Sequence, residues 1–324
     1  MHSFAASLAF ASVLQAALMK RVLITGGSGF VGRRLASELL ARGDHVSVLT
    51  RNVKKTRAEL PLGVRVIAWS PDKLGPWADE LSVVDAVVHL AGENVAQRWT
   101  DKAKRAIEES RWTSTRVLVE AMAQAKVKPK ALVCASAVGY YGARPGDEAL
   151  DEEAAPGSDF LANVVLKWEE AAREAEKHGI RSVQLRIGIV LGEGGGPLEK
   201  LVMPFKLGVG GHVGDGKQVI SWVHRDDVVG MILMAIDNDS VSGPVNVVSP
   251  NAVTGKEMAE AIGVVMGRSS WLPVPNFAIG LMMGEASVIV TTGQRVEPKR
   301  AVELGYEFRY ARLLPALESI LGDG

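Results

Sequence analysis

The chain has little cysteine, few aromatics and no surplus of charge. Its one cysteine, Cys134, sits in the apolar run ALVCASA. With no second cysteine there is no intrachain disulfide, and the residue is expected to be a small buried hydrophobe in a reducing compartment, which points to the cytoplasm. Lys+Arg and Asp+Glu number 37 each, so net charge draws the chain toward neither nucleic acid nor an anionic membrane. The six histidines are scattered and no Cys/His group has metal-ligand spacing, so no metal site is expected. No apolar run is long and pure enough to span a bilayer. What remains is a chain of 324 residues, enough for one large α/β domain or a nucleotide domain with a smaller lobe, and a small molecule as its partner.

Glycine, by contrast, is abundant at 34 residues, and its placement carries the first functional signal. In Arg21 to Gly32, RVLITGGSGFVG, an apolar run empties into a glycine turn that opens a helix. Gly26, Gly29 and Gly32 have the G-x-x-G-x-x-G spacing of a dinucleotide site: one glycine permits the turn, one lets backbone approach a pyrophosphate, and one lets helix and strand pack closely. Free N–H groups at the helix start would face the phosphates.

Asp44 to Leu49 alternates into a second strand, and the position after it decides which dinucleotide fits. NAD enzymes place a carboxylate there to bond the ribose hydroxyls. Here it is Thr50, followed by Arg51. Without a carboxylate a 2′-phosphate is not repelled, and the guanidinium offers it a multi-donor partner, which favours NADP(H). Residues 64–69 read as a third strand, Ala86 to Leu90 as a fourth ending in small residues through Gly92, and Asp101 to Ala125 as a helix carrying Arg111, a candidate for a cofactor phosphate or a surface carboxylate. Ala131 to Ala135 reads as a fifth strand leading into SAVGYYG, Phe160 to His178 as a helix, and Arg181 to Leu191 as a sixth strand. Strands alternating with helices predict a Rossmann-type, doubly wound parallel sheet.

From Pro197 the rhythm changes. Gly208 to Gly216 suggests turns and a short hairpin over a ligand, Val228 to Ile236 a helix, Val245 to Val248 a strand, and Thr254 to Met266 a helix with a Thr254/Glu257 capping box. The domain reading is therefore an NADP-binding Rossmann domain over residues 19–190 and a smaller mixed C-terminal substrate lobe over 191–324, with some segments returning to the sheet. Residues 1–18, apolar and rich in small side chains, stand apart before Met19-Lys20, which looks like a natural start; they read first as an upstream extension, next as a weak targeting segment, and last as an added helix packed on the fold.

Together the motifs GGSGFVG, HLAGEN (89–94), RWT (98–100), SR (110–111), SAVGYYG (136–142), KWE (167–169), WVHRDD (222–227) and GQRVEP (293–298) resemble the extended short-chain dehydrogenase/reductase superfamily, and within it an atypical epimerase-like subgroup. The resemblance runs from Met19 to Leu321. It implies that Gly26 to Gly32, including Ser28, Phe30 and Val31, hold the pyrophosphate. Thr50 and Arg51 would hold the 2′-phosphate, Leu90, Ala91 and Gly92 the adenine and ribose side, and Gly188, Ile189 and Val190 the nicotinamide. Homodimers built from two helices are common in such relatives.

The catalytic part of the resemblance does not carry over. Relatives use a Tyr-x-x-x-Lys pair on one helix face as acid or base. With Glu169 fixing the register those positions are Leu161 and Val165, or Phe160 and Val164 if it slides by one. Lys167 is on another face. The ungapped count from Tyr141-Gly142 puts Ala137 where the family has a serine, with Ser136 beside it. Proton transfer is expected instead from Tyr140, with Ser136, Tyr141 and His224 as further candidates. Two functions follow as expectations: an epimerase-like NADP(H) oxidoreductase or isomerase acting on a small polar, sugar-like molecule, or an NADP(H)-binding regulator or scaffold without chemistry.

Overall fold

The computed structural model describes residues 19–144, 146 and 148–322. The extension 1–18 and Asp147, where the sequence predicts the start of an acidic loop running to Asp159, lie outside the described residues.

The apolar runs read above as strands do form strands, most of them buried, with the third, Arg65–Ala68, at the sheet edge partly exposed. In chain order these are β1 (Arg21–Thr25), β2 (His45–Thr50), β3 (Arg65–Ala68), β4 (Ala86–His89), β5 (Ala131–Ala137), the short β6 (Ala149–Leu150), β7 (Arg181–Ile187), β8 (Ile189–Leu191), β9 (Val219–Ile220), β10 (Trp222–His224), β11 (Gly243–Val247), β12 (Val253–Thr254) and β13 (Arg295–Val296). Seven of them form one sheet in the order β11-β7-β5-β4-β1-β2-β3, and every pairing in it is parallel. The order reverses between β1 and β4, which opens a crevice at their carboxyl ends.

The longer helices are α1 (Phe30–Ala41), α2 (Val53–Glu59), α3 (Asp101–Gln124), α4 (Phe160–Arg173), α5 (Leu198–Lys206), α6 (Arg225–Asp237), α7 (Gly255–Val265), α8 (Asn276–Met283), α9 (Val288–Thr291), α10 (Lys299–Glu303) and α11 (Leu313–Leu321). On one face of the sheet Leu35 and Leu39 of α1 pack with Val228, Val229 and Ile232 of α6. On the other, Val117, Leu118 and Met122 of α3 join Trp168 and Ala172 of α4. Helices on both faces make the sheet doubly wound. A further core joins Val202 and Phe205, Met258 and Ile262, and Ala316 and Leu317 from α5, α7 and α11.

Several sequence expectations need correction. The run Arg181 to Leu191 is two strands. A Cβ on Gly188 would overlap the Ser221 carbonyl, so the chain can turn out of the sheet there, and β8 pairs in parallel with β10 instead. No hairpin forms within 208–216. β9 pairs antiparallel with β12, and Val213 bridges to Val274. The helix from Phe160 tightens into a 3-10 segment over Glu174–His178. Helices α2 and α5 were not expected; α5 has Pro204 inside it but buries one face through Leu198, Val202 and Phe205. The Thr100 N-cap accepts from Ala103 N, and the Thr254/Glu257 capping box is present.

Candidate functional site

The glycine turn after β1 crosses the end of β4 at backbone distance. Gly26 has φ +70°, and a Cβ there would stand 2.8 Å from Ala91 N and from the Leu90 carbonyl carbon. A Cβ on Gly32 would overlap the Gly26 oxygen. Gly29 N donates to Gly26 O at 2.9 Å, and no side chain caps α1. The first N–H groups of the helix at Phe30 and Val31 therefore face the crevice without a side-chain acceptor, as an anion-binding helix start requires. Residues present at the crevice fit a dinucleotide. Ser28 is half-buried and Gly29 exposed beside it.

At the end of β2, Thr50 Oγ1 bonds Thr56 Oγ1 at 2.8 Å and accepts from Asn52 N. Asn52 caps α2 through Lys55 N. Arg51 stands exposed in this turn, and no carboxylate occupies the ribose end of the strand.

Below the crevice a buried polar chain ties β1 to β4 and α3. Thr25 Oγ1 and His89 Nδ1 are 2.6 Å apart, Ser114 Oγ lies 3.2 Å from His89 Nε2, and Ala91 N donates to Thr25 Oγ1 at 3.3 Å. Burial, with the nearby Arg111 charge, lowers the His89 pKa to about 3, so His89 is neutral. Arg111 itself donates to the carbonyls of Glu93 and Ile107 at 3.0 and 3.1 Å and lies over the Trp168 ring at 5.1 Å. It touches Gly92: a Cβ there would be 3.3 Å from its guanidinium carbon. Its largely buried position lowers its pKa to about 10. Among the described residues it pairs with no surface carboxylate, and its donors are directed to main chain.

The candidates for proton transfer divide sharply. Ser136 is 4% exposed and donates to Glu169 Oε1 at 2.6 Å, so its hydroxyl serves a buried ion pair. Arg186 closes that pair, Nε to Oε1 at 2.8 Å and Nη2 to Oε2 at 2.9 Å, and donates through Nη1 to Tyr141 Oη and Glu152 O. Burial works against the charged guanidinium, yet the Glu169 bonds and charge prevail and raise its pKa. Tyr141 is sealed, its one hydroxyl hydrogen within reach of Asn246 Oδ1 at 2.7 Å and of Asp151 O at 3.0 Å, and burial pushes its pKa up to about 12. His224 caps α6 by accepting from Asp226 N at 3.1 Å and stacks on Tyr310, so its Nδ1 is committed to the helix start. Tyr140 differs. It is half-buried, its ring is covered by Arg186 at 3.4 Å, and it stands at the carboxyl end of β5.

Leu161 and Val165 lie against the backbone that carries Tyr140: a Cβ on Gly139 would meet Leu161 Cβ at 3.6 Å and Val165 Cγ2 at 4.0 Å. Phe160 instead packs on Trp99, and Val164 is buried. Lys167 is exposed and pairs with Glu108. Ile189 and Val190 are half-buried in β8. A contact missed from sequence crosses this end of the sheet: Gln294 Nε2 donates to Val138 O at 2.8 Å, and Ser221 Oγ donates to Gln294 O at 2.8 Å. Among the described residues no group of three His, Cys, Asp or Glu could hold a metal, and no helix is long and apolar enough to cross a membrane.

A family model described as the NAD dependent epimerase/dehydratase family matches residues 22–248. The chain belongs to that family. Beyond its match, residues 274–320 of this epimerase-family chain fit a domain of unknown function, DUF1731. The chain is similar to the epimerase family protein YfhF of Bacillus subtilis, 37% identical over 302 residues, 93% of this chain and 98% of that one. It is similar to the chloroplastic SDR39U1 homolog of Arabidopsis thaliana, 40% identical over 93% of this chain and 86% of that one. Among solved structures, that of human epimerase family protein SDR39U1 (isoform 2) with NADPH superposes with TM-score 0.82 at 32% identity, covering 94% of this chain and 100% of that chain.

Proposed function

We propose that this protein is an NADP(H)-binding, epimerase-like oxidoreductase acting on a small, polar, sugar-like molecule, and that it works in the cytoplasm. The observation that carries the cofactor choice is the end of β2, where Thr50 and exposed Arg51 stand in place of a carboxylate. The human relative crystallised with NADPH supports the same choice. When bound, the nicotinamide supplies or accepts hydride.

The chain's own residues do the rest. Gly26 to Gly32 admit the pyrophosphate and offer it helix N–H groups. Leu90, Ala91 and Gly92 leave room along the adenine side, Arg111 fixes the backbone there, and Ile189 and Val190 line the nicotinamide end. Tyr140 holds or releases the substrate proton. Ser136 acts behind it, by fixing Glu169 and through it Arg186 against the Tyr140 ring.

Calorimetric titration with NADPH and NADH tests the cofactor assignment. Arg51→Ala is expected to weaken NADPH roughly tenfold, as loss of a charge-assisted bond at an exposed site does, and to leave NADH unchanged. Equal loss for both nucleotides, or none, would sink the role given to Arg51. Tyr140→Phe is expected to abolish turnover of any substrate found by screening while NADPH binding persists; unchanged turnover would remove Tyr140 from the chemistry.

Leu161 and Val165 favour a second reading, a regulator that binds NADP(H) without chemistry. Two aliphatic side chains packed on Gly139 cannot move a proton. In that reading a protein partner binds with an affinity that changes with NADPH, and a partner indifferent to NADPH overturns it.

A further inference from the structure

The glycine-rich segment 192–196 lies directly on the start of α1. Added Cβ atoms at Gly192, Gly195 and Gly196 would stand 2.9, 3.0 and 2.8 Å from the Phe30 ring, so only glycine lets this backbone rest on the first residue of the helix. Gly194, Gly195 and Gly196 all have positive φ, a conformation other residues rarely take.

Two arginines hold this loop from opposite sides. Arg33 Nη2 of α1 donates to Gly194 O at 3.1 Å, and Arg225 Nη1, at the start of α6, donates to Glu193 O. Arg225 also lies over the Phe30 ring at 5.1 Å, and its Nε is buried without a partner. These guanidiniums spend their donors on neutral carbonyls. Of the neighbouring carboxylates, Asp226 pairs with Arg34 and Arg309 and Glu38 with Arg34, while Glu193 is exposed and pairs with neither arginine. Among the described residues neither Arg33 nor Arg225 forms an ion pair, although Arg225 feels the charges of Asp226 and Glu193 as well as those of Arg34 and Arg33. A helix start with free N–H groups and two cations lacking an anion therefore meet around one aromatic ring. A dianionic pyrophosphate would complete the charge balance.

We propose that Arg225 and Arg33 form a clamp on the pyrophosphate of the bound dinucleotide, with residues 192–196 as the flap they close over it. This inference rests on the dinucleotide reading above and adds a cation supplied from beyond the Rossmann motifs. The clamp grips the part that NADPH and NADH share, whereas Arg51 meets only the 2′-phosphate.

The test is direct titration of NADPH, NADH and adenosine 2′-monophosphate, which has no pyrophosphate, into wild type, Arg225→Ala, Arg225→Lys and Arg33→Ala. Thermal melting of the unliganded proteins confirms that each variant is folded. Arg225→Ala is expected to weaken NADPH and NADH by the same factor, roughly tenfold, and to leave adenosine 2′-monophosphate unchanged. Arg225→Lys, which keeps a point charge without the fork, falls between. Arg33→Ala, on a half-buried helix face, reports on the clamp should Arg225→Ala fail to fold. Wild-type binding with all folded variants within twofold overturns the clamp and leaves the dinucleotide site standing. Failure of wild type to bind either dinucleotide overturns both.

Discussion

Glu169→Ala is expected to destabilise the protein by about 3–5 kcal/mol, the range for removing one partner of a buried ion pair. Arg186 is 2% exposed and would keep its charge with no carboxylate in reach, while Ser136 would lose its acceptor. Glu169→Gln retains volume and one acceptor, so it should cost less, about 1–3 kcal/mol. Replacing both partners by apolar residues, Glu169→Leu with Arg186→Met, should recover much of the loss, because no charge is then left buried. Chemical denaturation of the four proteins at neutral pH measures all three statements. A loss below 1 kcal/mol for Glu169→Ala would show that water reaches the guanidinium and that the pair is not sealed. The paired variant should still disturb Tyr140, whose ring would lose its cation, so stability and turnover should separate.

Stability should also fall on mild acidification, with His89 as the main cause. The ordinary histidine value is 6.5, and burial beside Arg111 lowers it to about 3 in the folded protein. Below pH 6.5 the unfolded chain takes up a proton that the folded chain refuses, so stability present above 6.5 is lost as pH falls toward 3. The slope is about 1.4 kcal/mol per pH unit, which gives a loss of about 2 kcal/mol by pH 5 and about 3 kcal/mol by pH 4. His224, also lowered by burial, adds in the same direction. Denaturant midpoints recorded from pH 8 to 5 test this against His89→Asn, whose curve should be flatter. Parallel curves for the two proteins would place the acid sensitivity elsewhere.

The parallel sheet was legible because its strands are short apolar runs ending in glycine or small residues, a pattern set by backbone approach and burial alone. The tight glycine turn after β1 was legible for the same reason. Strand β8 was not, since nothing in RSVQLRIGIVL distinguishes a continuous strand from one that breaks at Gly188; the break is dictated by Ser221, far along the chain. The buried pair was half legible. Arg186 is a charge inside an apolar run, which requires a partner, but Glu169 lies on a helix where a glutamate is as often solvated. His224 was legible in two ways: a histidine beside Arg225-Asp226-Asp227 suits chemistry or a helix start, and its Nδ1 accepts at the helix start. Arg225, which carries the clamp, gave no local signal, because its importance comes from Phe30 and the 192–196 loop.

The Gly188 break has a mechanical consequence. The chain leaves the sheet there, returns through α6 and β11, leaves again, and comes back to meet Ser221 and Val138 through Gln294 and Val296. Hinge closure bends a few residues, and with so many separate tethers every one of them would have to bend together. Ligand entry is then expected to depend on movement of individual loops more than on a rocking of two halves.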